Sequence, residues 1–86
     1  MTTLYRDVSD LADIDALRVL LQPGASCRVY PRSPGPYNEL RHIRAIVDDD
    51  WIVYRVWSFA RQSWWYGTDH ISDFWVLWTN ELLRFK

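Results

Sequence analysis

The most regular hydrophobic pattern in the chain is a helical one over residues 9–22. Its leucine and isoleucine residues recur at spacings of three and four, which gathers them on one side of a helix; they are Leu11, Ile14, Leu17 and Leu21. Ser9 is a residue type that caps helix N-termini, and the Pro23-Gly24 pair stops a helix. The pattern predicts an amphipathic N-terminal helix that must bury its apolar side against the rest of the chain.

Alternation of apolar and polar residues predicts four strands after this helix, over about 26–31, 40–48, 51–58 and 63–67. The first strand reaches Pro31, which cannot donate a ladder hydrogen bond, so we expect either an edge strand or a strand that ends at the proline. Asp49 and Asp50 would form the turn of a hairpin between the second and third strands. Pairing Asp48 with Trp51 gives the register that we predict for this hairpin.

This register sorts the side chains of the sheet onto two faces. Pairing Ser58 with Ser63 extends the same alternation into the fourth strand. One face is then a plausible core and carries Ile43, Ala45, Val47, Ile52, Tyr54, Val56 and Trp65. The opposite face combines arginine and histidine with aromatic rings, and carries His42, Arg44, Arg55, Trp57, Trp64 and Tyr66, together with Ile46 and Val53.

The C-terminal residues fit two patterns. Helical spacing, with Ser72 as a capping residue, relates Ile71, Phe74, Trp75, Trp78 and Leu82. Strand-like alternation also relates Phe74, Val76 and Trp78. We expect a short helix over about 72–79 and then a short extended tail. All 6 tryptophans lie between Trp51 and Trp78, so we also expect this stretch to supply most of the core.

Together these elements predict a single domain over residues 1–86 with an α+β fold. The N-terminal helix would pack on a bent antiparallel sheet of four or five short strands. The strand lengths and the density of aromatic residues are compatible with a small SH3-like barrel.

Composition mainly excludes classes of protein. The single cysteine, Cys27, allows neither an intramolecular disulfide nor a thiolate zinc site, and we expect it to be a small buried hydrophobe. No apolar run has the length of a membrane span, and the first residues lack the pattern of a signal peptide, which predicts a cytoplasmic protein without a membrane partner. The formal net charge of −1 gives no support for nucleic acid.

The face that combines arginine with aromatic rings is the main candidate for a binding site. Its predicted residues are Arg44, Arg55, Trp57, Trp64, Tyr66 and His42, with Tyr37 and Arg32 from the Pro-Gly-Pro loop and with Arg41 or Arg61 at the margin. Such residues dominate protein-interface hot spots, and they also stack bases and hold phosphates in single-stranded nucleic-acid binders. The structural alternative is that the N-terminal helix covers this face and makes it a second core layer.

No catalytic signature accompanies this face. The chain has no phosphate-binding glycine loop and no nucleophile elbow, and His42 and His70 are not at metal-ligand spacing. The three aspartates Asp48, Asp49 and Asp50 resemble a solvated turn more than a cation site. We therefore expect a non-enzymatic protein-binding or assembly module without cofactor or metal. The alternatives are a single-stranded nucleic-acid binder that uses the same face and a structural component of a homo-oligomer.

Overall fold

The computed structural model describes residues 13–32 and 38–85. In chain order the elements are α1 (Ile14–Leu20), β1 (Ser26–Val29), β2 (Glu39–Val47), β3 (Trp51–Ser58), β4 (Ser63–His70), α2 (Ile71–Thr79) and β5 (Leu83–Phe85). The strands form one antiparallel sheet in the order β4-β3-β2-β1-β5. The α+β class predicted from the sequence is confirmed.

Helix α1 begins later than its hydrophobic pattern predicts. Asp13 caps it in an extended conformation and accepts a hydrogen bond from the Ala16 amide at 3.0 Å, so the first helical residue is Ile14. The predicted cap Ser9 and residues 10–12 lie outside the described residues. Arg18 donates to the backbone oxygen of Asp49 and pairs with the Asp50 carboxylate at 2.9 Å, which ties α1 to the turn between β2 and β3.

Strand β1 lies inside the sheet, between β2 and β5. The prediction of an edge strand is therefore wrong, and the alternative holds, because β1 ends at Val29, before Pro31. The chain stays beside β5 slightly longer, since the Tyr30 amide donates to the Leu82 oxygen at 2.9 Å. Proline thus marks the end of this pairing without requiring a free edge.

The predicted register between β2 and β3 is wrong. Val47 pairs with Trp51, so the turn contains three residues, and two of them, Asp48 and Asp49, have left-handed φ values of 52° and 64°. A bulge between Ile43 and Ala45 then shifts the register again. The two shifts move Ala45 and Val47 off the core face and bring Ile46 onto it, opposite Ile52.

The predicted register between β3 and β4 is confirmed, with Ser58 opposite Ser63 and Val56 opposite Trp65. Strand β4 is longer than predicted and continues to His70, opposite Trp51. His70 rather than Ser72 then caps α2, because its Nδ1 accepts a hydrogen bond from the Ser72 amide at 3.1 Å. The helical reading of the C-terminal pattern is correct, and the extended tail is β5.

The core lies on one face of the sheet and is covered by both helices. Its buried side chains are Leu17 and Leu21 from the α1 region, Ile71, Phe74 and Trp78 from α2, and Cys27, Ile43, Ile52, Tyr54 and Leu83 from the strands. Only one of the 6 tryptophans, Trp78, is fully buried. The expectation that residues 51–78 supply most of the core is met only in part, because this stretch supplies five of the ten buried core residues but only one of them is a tryptophan.

We call the opposite side of the sheet the open face, because neither helix packs on it. It consists of the strand positions that alternate with the core positions, among them Arg28, His42, Arg55, Trp57, Trp64, Tyr66 and Arg84. Within residues 13–32 and 38–85, no helix covers these side chains. The alternative that α1 turns this face into a second core layer is wrong, since Leu17 and Leu21 bury against α2 and the core face.

Candidate binding surface

Trp64 is the centre of a ring cluster on the open face. The Arg55 guanidinium lies over the Trp64 ring at 4.0 Å from its centroid. Trp57 and His42 meet the same ring edge-on, with centroids at 5.2 Å and 5.7 Å. We call these four residues the Trp64 cluster. Cation–π and edge-to-face contacts of this kind hold the side chains in fixed relative positions.

The strand pairings explain why these side chains meet. Trp57 lies directly opposite Trp64, and Arg55 lies opposite both His42 on one side and Tyr66 on the other. The tight turn before β4 fixes this register, because Ser58 Oγ accepts from the Arg61 amide at 3.3 Å and Gln62 adopts a left-handed φ of 53°. A hydrogen bond also holds the His42 ring in place, since its Nδ1 is 3.0 Å from Ser26 Oγ.

The strand residues of the open face carry positive charge and no carboxylate, although Glu39 lines the cleft beside them. Arg28, Arg55 and Arg84 lie on this side of the strands, and none of the strand residues that share it is Asp or Glu. Among the described residues, ion pairs are made only by Arg18 and Arg41. Arg55 Nε is buried and has no hydrogen-bond partner within the described part of the chain. The net charge of −1 is therefore compatible with a local excess of positive charge on the open face.

A cleft of about 540 Å³ adjoins the Trp64 cluster. It lies where β2 and β3 separate, because their pairing extends only to His42 opposite Arg55. Beyond that pair, β2 continues beside β1 as far as Glu39, and β3 continues beside β4 as far as Ser58. Five apolar or aromatic side chains line the cleft, namely Leu40, Val56, Trp57, Phe59 and Trp65, together with the polar residues Arg28, Asn38, Glu39, His42 and Ser58.

The predicted site residues are only partly brought together. His42, Arg55, Trp57, Trp64 and Tyr66 lie side by side on the open face, and Tyr66 is 61% exposed. Arg44 does not face Arg55 as predicted, because Arg44 is the extra residue of the bulge in β2 and His42 takes its place. Arg32 is exposed beyond β1, and Tyr37 lies outside the described residues.

Of the two arginines predicted at the margin, Arg41 lies on the opposite side of the sheet. It bridges two carboxylates on the core face, with Nε at 2.6 Å from Glu39 Oε1 and Nη1 at 3.0 Å from Asp69 Oδ2. Its guanidinium also lies 4.2 Å from the Tyr54 ring centroid. Arg61 lies over the Trp65 ring at 4.5 Å. The alternation of β2 carried the signal for Arg41, since it is two residues before the buried Ile43.

Burial perturbs two groups of the core. Desolvation raises the pKa of the Cys27 thiol to about 12, with the Arg41 charge opposing it. Desolvation also raises the pKa of the Tyr54 phenol to about 12, and its hydroxyl donates to Asp69 Oδ2 at 3.1 Å. Both groups are thus held neutral, and Cys27 behaves as the small buried hydrophobe that the sequence predicts.

The described residues contain no group of three or more His, Cys, Asp and Glu side chains that could hold a metal ion. Neither described helix has the length and apolar character needed to cross a bilayer. No protein-family model matches the chain, and no curated protein matches its sequence.

Proposed function

We propose that this chain is a small non-enzymatic protein-binding module that binds its partner on the open face. One observation carries the proposal: both helices pack on the core face, and the Trp64 cluster remains uncovered by any described element. Exposed tryptophan and arginine at the centre of a rigid surface are the residues that dominate protein interfaces. Sheet strands also hold side chains more rigidly than loops do.

The charges indicate the chemistry of the partner. Arg28, Arg55 and Arg84 lie on a face without carboxylates, so a partner segment that carries Asp or Glu would be attracted to it. The cleft beside Trp57 accepts an apolar or aromatic side chain of the same segment. We therefore propose an extended acidic protein segment with an apolar anchor as the partner, in the cytoplasm as the sequence predicts.

A second candidate function is supported by the same charge distribution. A face with exposed rings, three arginines and no carboxylate also suits single-stranded nucleic acid, which stacks bases on rings and places phosphates near guanidinium groups. The cleft favours the protein partner, because its apolar lining between two separating strands fits a side chain better than a phosphate backbone.

One set of variants tests both candidates. Peptides selected from a random display library on the immobilised domain would be compared with short single-stranded oligonucleotides by titration at low and moderate salt. We expect Trp57→Ala and Arg55→Ala each to weaken binding of the selected acidic peptides at least about 30-fold, as for interface hot spots. Val19→Ala, which truncates an exposed α1 side chain away from the open face, is the matched control and should bind normally.

The outcomes separate the candidates. Selected peptides that bind the folded Trp57→Ala and Arg55→Ala proteins as well as the parent would refute the placement on the open face. Tight, steeply salt-dependent binding of oligonucleotides, lost in the same two variants, would replace the protein partner with nucleic acid. Circular dichroism of each variant shows that the sheet is retained.

We also propose that the framework of this module is the strongly bent, SH3-like sheet predicted from the sequence. The support is that β2 pairs with β1 over its first residues and with β3 over its last, so that the two halves of the sheet diverge. An experimental structure with β2 paired to β3 as far as Glu39 would contradict this proposal.

A further inference from the structure

Strand β4 is a long free edge of the sheet. It has eight residues, Ser63–His70, and among the described elements no strand follows it in the sheet order. Residues 63–68 contain no charged side chain and no proline, the devices that natural proteins use to protect an edge. The other edge, β5, has three residues and carries Arg84. An unprotected edge of this length favours pairing with another strand.

The hydrogen-bond pattern shows which peptide groups of β4 are free. The Ile71 amide donates to the Asp50 oxygen at 2.7 Å, and bonded pairs alternate along an antiparallel ladder. Every second residue of β4 before Ile71 therefore makes its backbone hydrogen bonds to β3; these residues are Asp69, Gly67 and Trp65. The N–H and C=O groups of Trp64, Tyr66 and Thr68 therefore point away from β3, towards the free edge.

We propose that β4 pairs antiparallel with β4 of a second copy of this chain, about a twofold axis at Tyr66. With this axis, Tyr66 bonds to its own counterpart, and Trp64 of each copy bonds to Thr68 of the other. An axis at Trp65 would pair only Trp64 with Tyr66, because Thr68 would then meet Gln62, which has a left-handed φ. The axis at Tyr66 therefore uses more of the free edge.

The side chains are compatible with this symmetric pairing. The residues brought opposite each other lie on the same side of the sheet, so the open faces of the two copies become continuous. Trp65 lies opposite Gly67 of the second copy, where the Tyr54 ring of that copy already packs over the glycine, so the indole would lie beside that ring. Asp69 lies opposite Ser63 of the second copy, and no like charges meet directly.

The contact predicts a weak dimer. Trp64, Trp65 and Tyr66 are 40%, 46% and 61% exposed. Covering about half of each ring in both copies would bury roughly 450–750 Å², given that a large aromatic side chain buries about 150–250 Å². This area is below the about 1,200 Å² at which stable specific interfaces begin, as expected for a weak, transient contact. We therefore expect dimerisation in the micromolar to millimolar range of protein concentration.

The test measures mass against concentration by sedimentation equilibrium. We expect the parent chain to change from monomer to dimer between about 1 μM and 1 mM. Thr68→Lys places a charge on the edge beside Trp64 of the second copy and should raise the dimer dissociation constant at least about tenfold. Val19→Lys adds the same charge on α1, at a side chain that is 71% exposed, and should dimerise like the parent.

A second variant and a second readout locate the contact. Tyr66→Pro removes an amide that points away from β3, so it should abolish dimerisation while far-UV circular dichroism stays that of the parent. Amide exchange at Trp64, Tyr66 and Thr68 should slow as the concentration rises. A parent chain that stays monomeric at 1 mM, a Thr68→Lys variant that dimerises normally, or masses that grow beyond two copies would each overturn the proposal. Because Thr68 is not a residue of the Trp64 cluster, this result is separate from that of the peptide-binding experiment.

Discussion

Substitution of Gly67 by alanine tests how closely β4 approaches the Tyr54 ring. A β carbon at Gly67 would lie 2.6 Å from Cζ of Tyr54, 2.7 Å from its hydroxyl oxygen and 2.9 Å from Cε1. Non-bonded carbon atoms normally lie about 3.5–4.0 Å apart. Either the ring or the strand must therefore move by about 1 Å to accept one methyl group.

The ring has little freedom to move. The Tyr54 hydroxyl donates to Asp69, the Arg41 guanidinium lies over the ring, and Phe74 meets it edge-on at 6.0 Å. Overpacking of a core costs about 1–3 kcal/mol, and loss of the hydroxyl hydrogen bond costs about 1 kcal/mol. We expect Gly67→Ala to lower the free energy of unfolding by about 2–4 kcal/mol and Tm by roughly 10–25 °C.

Urea titration followed by circular dichroism measures this loss, and the sign of the effect is diagnostic. Gly67 does not have a left-handed φ, so without the ring an alanine in this strand would stabilise the domain by about 0.5–1 kcal/mol. In a Tyr54→Leu background, Gly67→Ala should therefore be neutral or stabilising. A neutral or stabilising Gly67→Ala in the parent chain, or an equal loss in both backgrounds, would refute the reasoning.

Two further predictions concern the buried core groups. Cys27 is fully buried with a pKa raised to about 12, so at pH 8 it should react with iodoacetamide only after unfolding; stoichiometric labelling of the native chain, read by mass spectrometry, would contradict this. The pKa of Tyr54 in the folded chain is about 12, above its ordinary value of 10.0. The neutral phenol therefore contributes its full share to the free energy of unfolding below pH 10, and this share, about 2–3 kcal/mol in total, is lost as the pH rises through 12. Urea titrations from pH 9 to pH 12 should show this decline, with a shallower slope in Tyr54→Phe, and an equal slope in both proteins would contradict the assignment.

The sequence predicted the elements of the fold better than the register of its central hairpin. The register between β3 and β4 follows from a turn whose length is evident between Ser58 and Ser63. Between β2 and β3 the pattern permits several turn lengths, because Asp48 and Asp49 can both adopt left-handed φ values. The bulge at Arg44 adds a second shift that alternation alone does not reveal, since Ile43 and Ile46 are both apolar.

The sequence predicted correctly which side chains of β3 and β4 share a face of the sheet. Arg55, Trp57, Trp64 and Tyr66 share a face in either register, because the pairing of these two strands was correct. The exposure of the rings was not predictable in the same way. Aromatic density indicates the total apolar surface of the chain but not which face the helices cover, and here both helices cover the other one.

The separation of charge across the sheet has a consequence for encounters at long range. Among the described residues, Arg28, Arg55 and Arg84 lie on the open face and form no ion pair, whereas Arg41 on the helix-covered side is paired with Glu39 and Asp69. Positive charge is therefore unevenly distributed over these residues despite the small net charge of the chain. Even the shortest dimension of the molecule is 22 Å, whereas the Debye length is about 8 Å at physiological salt. An anion that approaches the open face therefore senses the arginines of that face, whereas one that approaches from the helix-covered side does not.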